Sequence, residues 1–238
     1  MTVTEEKTVG EVVADNFKAA DVFKKHSIDF CCGGNKALSA ACEENGTKLD
    51  DLLSDLEKYE EDGREGQNFN QWKLDFLIDY ILNEHHTYVI ENLPYILEYA
   101  QKVAEVHGEN HPETIRINQL VQAVAQDLQV HMKKEEQILF PYVRTLLAAQ
   151  AQNTPLSKIS FGTVGNPIRM MEMEHENAGD IFKEIAEISG NYTLPQDSCS
   201  TYQVLYKKLK EFQEDLHQHI HLENNILFPK AKELEQSF

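Results

Sequence analysis

Long hydrophobic runs are missing from this sequence, and so are a surplus of basic charge, a framework of cysteines and any clear strand pattern. No apolar stretch approaches the ~18 residues that would suggest a membrane-spanning helix. Against 40 acidic residues stand only 22 Lys and Arg, a formal charge of −18 at pH 7. Such a surface repels phosphate backbones and anionic headgroups, so neither nucleic acid nor a membrane is an expected partner. Four cysteines (Cys31, Cys32, Cys42 and Cys199) in 238 residues do not make a disulfide-stapled scaffold. The opening MTVTEEKTVG lacks the basic stretch and apolar core of an export signal, so a cytoplasmic protein with reduced thiols is expected. Alternating runs rich in Val, Ile and Thr are nearly absent, which leaves helix as the main element.

What is present divides at EEDGREGQNFN, where two glycines and a charge run predict a linker over residues 61–70. Residues 1–60 read as a small helical domain. It opens on Thr8-Val9-Gly10-Glu11, a capping-box pattern ahead of a short helix. A second helix ends near His26, a third starts near Asn35 after DFCCGG, and LDDLLSDLEKY forms a last one. A unit of this size is marginal alone and is expected to pack on something or dimerise. Residues 71–238 predict four amphipathic helices in an up-down-up-down bundle. Their apolar stripes run Leu82, His86, Val89, Leu93, Ile96; then Ile117, Val121, Val124, Leu128, His131, Glu135, Ile138, Tyr142; then Val164, Ile168, Met171, His175, Ala178, Phe182, Ile185; then Leu205, Leu209, Phe212, Leu216, His219, Glu223, Ile226. Pro141 and Pro229 are expected to stop the second and fourth helices.

One motif occurs twice: HMKKEEQILFP at 131–141 and HIHLENNILFP at 219–229. Each places a His and, one turn on, a Glu on an otherwise apolar stripe, while the other two stripes carry a lone His, His86 and His175. The chain thus reads as two helical hairpins, each giving one His and one His-x-x-x-Glu pair. An isolated buried carboxylate costs several kcal/mol even after relaxation, and no Lys or Arg lies on the four stripes. Two divalent ions ~3.5–4 Å apart would compensate, each pair binding one ion through its imidazole while the carboxylate spans to the second. Nitrogen and oxygen donors without thiolate suit iron, manganese or zinc. The blander readings are a hydrogen-bonded polar core in a purely structural bundle, and surface His–Glu pairs. His85 competes with His86, because Leu74, Ile78, Ile81, His85 is an equally good stripe. His217 and His221 should be solvated, where their spacing could make a surface metal site. His107 is read as a helix-end residue, and His26 and His111 as turn residues.

DFCCGG, HMKKEEQILFP, MEMEH at 171–175 and HLENNILFP together resemble the repair-of-iron-centres family of the YtfE/ScdA type. The likeness covers nearly the whole chain: an ScdA_N-like domain with Cys-Cys-Gly-Gly, then a hemerythrin-like domain. It implies a non-haem di-iron centre held by His86, His131, Glu135, His175, His219 and Glu223, with the two glutamates as bridges. The spacing back from Leu93-Pro94 selects His86 over His85. It also implies a cytoplasmic homodimer that restores iron–sulfur clusters damaged by nitric oxide or oxidants, with damaged or apo iron–sulfur proteins as partners.

Two chemistries would serve such a role: coupling nitric oxide to nitrous oxide, or donating iron. Carriage or sensing of dioxygen, as in hemerythrin proper, is the alternative; that site usually has five histidines, and only four lie on the stripes. Cys31 and Cys32 precede a Gly-Gly turn and a helix start, where a helix dipole can lower a thiol pKa. They are therefore candidates for contact with iron, reaction with nitric oxide or redox exchange, against a plain packing role. Cys42 and Cys199 read as inert.

Overall fold

The computed structural model describes residues 5–61, 66–156 and 160–238. Every named element among them is helical: α1 Val9–Asp15, α2 Ala19–Lys25, α3 Leu38–Glu44, α4 Leu49–Glu61, a 3-10 turn Phe69–Gln71, α5 Leu74–Tyr80, α6 Thr87–His107, α7 Glu113–Lys134, α8 Phe140–Gln152, α9 Gly165–Ile188, α10 Ser200–Leu222 and α11 Phe228–Gln236. Three π-helical turns, Ile81–His86, Glu135–Leu139 and Glu223–Leu227, join α5 to α6, α7 to α8 and α10 to α11. Among the described residues no helix is long and apolar enough to cross a membrane. The chain forms two compact units: Met1–Asp79 with Leu146–Ser157 and Gln218–Phe238, and Tyr80–Thr145 with Lys158–His217.

The second unit is the bundle, its helices running up-down-up-down. α6 packs on α7 and α7 on α9. α10 closes the ring, stacking Phe212 on Phe182 of α9 at 5.5 Å between centroids and bonding Asn92 of α6 through Lys208 at 3.0 Å. The α9 stripe holds along its whole length, with Val164, Ile168, Met171, His175, Ala178, Phe182 and Ile185 all buried.

The α7–α8 stripe holds through Glu135 and again at Tyr142, and fails between them at Ile138. Ile138, expected inside, is 46 % exposed, and Leu139 takes the inner position at 1 %. The cause is the π turn, whose i→i+5 bonding inserts one residue and shifts the register. The same effect accounts for the rival stripes around His85 and His86. Leu74, Ile78, Ile81 and His85 are buried, and so are His86, Val89, Leu93 and Ile96. One set is the inner track before the π turn, and the other is the inner track after it.

Nor do Pro141 and Pro229 stop their helices. Phe140 and Phe228 donate backbone N–H bonds to the Glu135 and Glu223 carbonyls five residues back. Each proline then sits in the first turn of a new helix, which runs on to Gln152 or Gln236. A proline needs no N–H partner in a first turn, and the wider turn before it leaves room for the ring.

The first unit contains α1–α4 and the chain's last helical turns. The capping box forms: Thr8 accepts from the Glu11 backbone N–H, and Glu11 accepts from that of Thr8 at 2.8 Å. Backbone bonds from Val9 to Lys36, Gly10 to Gly34 and Leu38 to Lys7 sew α1 to the loop before α3. Of the linker expected at 61–70, residues 62–65 lie outside the described residues. Beyond them Phe69 is buried edge-on against Phe17 and Trp72.

Candidate metal centre

In the bundle unit four of the expected side chains meet. His86 ends the first π turn, His131 lies in the last turn of α7, Glu135 opens the second π turn, and His175 lies mid-way along α9. Glu135 is fully buried. Its Oε2 is 3.4 Å from His86 Nε2 and its Oε1 is 3.3 Å from His131 Nε2. His131 Nε2 and His175 Nε2 are 3.0 Å apart. Donor atoms of His131, Glu135 and His175 all lie within 4.8 Å of one another, a spacing that can hold a metal ion.

Outward-facing carboxylates aim the rings. His86 Nδ1 is 2.8 Å from Glu136 Oε1, and His131 Nδ1 is 2.9 Å from Glu174 Oε2. A carboxylate on Nδ1 makes that nitrogen the N–H donor and leaves Nε2 with a lone pair facing inward, as imidazole–metal sites require. Glu174 is also paired with Lys134. The His131 bond first, then Lys134, pulls its carboxyl down to about 2. The spacing argument did not find Glu136 or Glu174; the only sequence signal is that each adjoins a candidate ligand, Glu135 or His175. Glu174→Gln should lower the affinity for the metal roughly 10- to 100-fold without changing the fold. Equilibrium competition against a chromophoric chelator checks this, and an unchanged constant would remove Glu174 from the site.

His85, buried like its neighbour, is turned elsewhere: its Nδ1 is 3.0 Å from Asp215 Oδ1 and its ring meets Tyr80 edge-on. In the other unit, His219 Nε2 is 3.4 Å from Glu223 Oε1, and both residues are buried. That pair repeats the local geometry of His131 and Glu135. In both, a His stands one turn before a Glu that opens a five-residue π turn, and Phe-Pro starts the next helix. The sequence repeat is thus a structural repeat.

The remaining histidines divide differently from expectation. His221 is not solvated: it is fully buried, packed against the rings of Phe17 and Phe30. Its Nδ1 accepts from Asn225 Nδ2 at 3.0 Å. Burial, opposed only weakly by the Phe30 carbonyl, drives its pKa down to about 3. A buried neutral ring in an apolar pocket cannot form the surface metal site conceived for it with His217, which is partly exposed. His107 is 3.2 Å from Cys199 Sγ and lies tilted against Tyr202, while His111 bridges Glu113 and Asp197. His26 caps α2 and bonds Asp55.

Residues 77–231 match the hemerythrin HHE cation binding domain, and residues 5–60 match ScdA_N, a domain of unknown function. The chain is 34 % identical over 214 residues to the iron-sulfur cluster repair protein YtfE of Yersinia pseudotuberculosis, covering 90 % of this chain and 91 % of the relative. The same figures hold for the YtfE protein of Yersinia pestis strain Pestoides F. The chain belongs to the YtfE-type iron–sulfur cluster repair family. Like other proteins with a hemerythrin HHE domain, this YtfE-type chain carries a cation-binding bundle, and its buried His and Glu side chains are arranged to hold a metal.

The thiols of this family member do not follow the helix-dipole expectation. α3 begins at Leu38, not near Asn35, so Cys31 and Cys32 are well short of a helix N-terminus. The Cys31 thiol is pushed well up, first by its interaction with Cys32, then by burial and by Asp29.

Proposed function

We propose that His86, His131, Glu135, His175, His219 and Glu223 together hold two iron ions, bridged by the two glutamates, and that the chain repairs iron–sulfur clusters damaged by nitric oxide or oxidants. The observation that carries this reading is the fully buried Glu135, held 3.3–3.4 Å from two imidazole Nε2 atoms that outward carboxylates turn toward it. The donor set fits iron: imidazole and carboxylate, no thiolate, and too few ligands to saturate two six-coordinate ions. His219 and Glu223 supply the second half because they repeat the first pair in sequence and in local geometry. Bound ferrous ions would supply open positions for nitric oxide and the electrons to couple two molecules into nitrous oxide, or would themselves be the cargo delivered to an apo cluster.

The chain's own residues have three tasks here. The imidazoles bind through Nε2, Glu136 and Glu174 hold the Nδ1 protons, and buried rings such as Phe140 beside His86 keep water off the site. The same reading takes residues 1–60 and 71–238 as the two domains, the cytoplasm as location, a homodimer as the assembly and iron–sulfur proteins as the partners. Anaerobic iron loading followed by metal quantification and Mössbauer spectroscopy, before and after nitric oxide, tests it. Two coupled irons per chain are expected. Fewer than one bound iron would sink the di-iron reading, and a long-lived oxygenated form would favour dioxygen carriage. Absence of nitrous oxide, with iron passed to an apo-cluster protein, would leave donation as the chemistry.

A further inference from the structure

Away from the imidazoles and carboxylates of the bundle, the first unit holds a second cluster of ligand atoms. Sγ of Cys31, Sγ of Cys32 and a carboxylate oxygen of Asp29 all lie within 4.8 Å of one another. The two sulfurs are 4.0 Å apart, and Cys31 Sγ is 3.2 Å from Asp29 Oδ1. No disulfide joins them. Cys31 is buried, Cys32 is partly exposed and Asp29 is exposed, so the cluster is open to solvent.

The turn that presents these atoms is fixed from both sides. Asp29 Oδ1 accepts the backbone N–H groups of Cys31 and Cys32 at 2.9 and 3.0 Å. From the other side, Asn225 Nδ2 donates to the carbonyls of Phe30 and Cys31 at 3.1 and 3.2 Å, and Asn224 reaches the Cys31 carbonyl at 3.4 Å. Ligands held this way lose little freedom when an ion arrives, which favours binding.

We infer that Asp29, Cys31 and Cys32 form a separate binding site for one thiophilic divalent ion of the zinc class. Two sulfurs and one carboxylate oxygen match the borderline-soft donors that such ions take, and three protein ligands leave a fourth, tetrahedral position on the open side. Binding replaces the two S–H protons with two metal–sulfur bonds, and both protons pass to solvent without any change in oxidation state. At rest Cys31 Sγ donates to Asp29 Oδ1 and lies against Cys32 Sγ, so the incoming ion must displace that proton. The site stands independently of the di-iron reading, since it shares no ligand with it.

Cadmium is a suitable probe, because its charge-transfer absorption appears only with thiolate ligands and ignores imidazole and carboxylate. The titration uses the full iron-loaded chain carrying Cys199→Ser, which removes the exposed thiol beside His107. One equivalent of Cd2+ should produce the thiolate band. At tenfold excess over the dissociation constant it should slow maleimide labelling of Cys32 roughly tenfold. Cys32→Ser, at a partly exposed position, should fold normally and weaken binding roughly tenfold or more, since losing even an outer partner of a metal site costs that much. A band absent at one equivalent, unprotected Cys32, or equal affinity in Cys32→Ser would each overturn the assignment. Should the chain fail to load iron, the same titration on metal-free protein still reads sulfur alone, so failure of the di-iron reading and failure of this one remain distinct.

Discussion

Glu135→Gln will strip most of the metal-dependent stability from the chain while leaving it folded. An ion that binds only the native state adds RT ln(1 + [L]/Kd), about 4.1 kcal/mol when the free metal is 1,000 times its dissociation constant. The amide keeps the shape of the side chain but loses the charge that would face two cations, and a direct ligand is worth at least the ~100-fold found for outer partners. A 100-fold weaker site at the same metal concentration retains only about 1.4 kcal/mol. The loaded variant should therefore melt roughly 5–11 °C below the loaded wild type, at ~2–4 °C per kcal/mol for a chain of this length. Paired thermal melts with and without iron read the effect, and the metal-free pair reports whether the substitution itself disturbs the core. An equal iron-induced shift in the two proteins would place Glu135 outside the metal set.

The second large effect lies in the first unit, at Gly34. A Cβ there would sit 2.4 Å from Asn225 Oδ1, 2.7 Å from its Nδ2 and 2.7 Å from the Phe30 carbonyl oxygen. A Cβ at Gly10 would meet the same carboxamide, 2.5 Å from Oδ1. Asn225 Nδ2 meanwhile lies 3.0–3.2 Å from the Phe30 and Cys31 carbonyls and from His221 Nδ1, so nothing near it can yield without losing hydrogen bonds. Gly34→Ala must displace it. Overpacking costs about 1–3 kcal/mol, and each lost bond adds about 1 kcal/mol, so a loss of about 3 kcal/mol is expected. Thermal melts measure it, and faster alkylation of Cys31 should accompany it. In an Asn225→Ala background the same substitution should cost at least about 1 kcal/mol less, because the clash with the carboxamide is gone and only the Phe30 carbonyl remains. Additive costs in that double-mutant cycle would mean that Asn225 does not hold the turn.

Much of the candidate centre is legible in the sequence because burial of His and Glu on a helix leaves a periodic mark. His131 and Glu135 stand on a stripe otherwise filled by Ile117, Val121, Val124 and Leu128, and all of these are buried. The α9 stripe is regular from Val164 to Ile185, with His175 in step. Where the period breaks, so does the reading. A 3.6-residue rule carried through a π turn puts Ile138 inside in place of Leu139, and it cannot choose between His85 and His86 because each is right for its own side of the turn. The prolines after Ile-Leu-Phe are the visible trace of those turns, but a proline alone reads equally well as a stop.

By itself the sequence determined the helical class, the two related His-x-x-x-Glu pairs and the apolar stripes that carry them, since these follow from side-chain spacing within single helices. Only the tertiary structure decided what the second pair's neighbours are for. Where the first copy of the motif has Lys133, Lys134, Glu136 and Gln137, the second has His221, Leu222, Asn224 and Asn225. Charge gives way to an imidazole, a leucine and two amides because this stretch is covered: Phe17 and Phe30 close over His221, and the Cys-Cys-Gly-Gly turn hydrogen-bonds to Asn225. These contacts join residues about 190 positions apart, and no local periodicity can encode a partner at that distance. A charged side chain under those rings would lose its hydration with nothing to replace it, so the fold accepts only groups whose few hydrogen bonds the turn can satisfy.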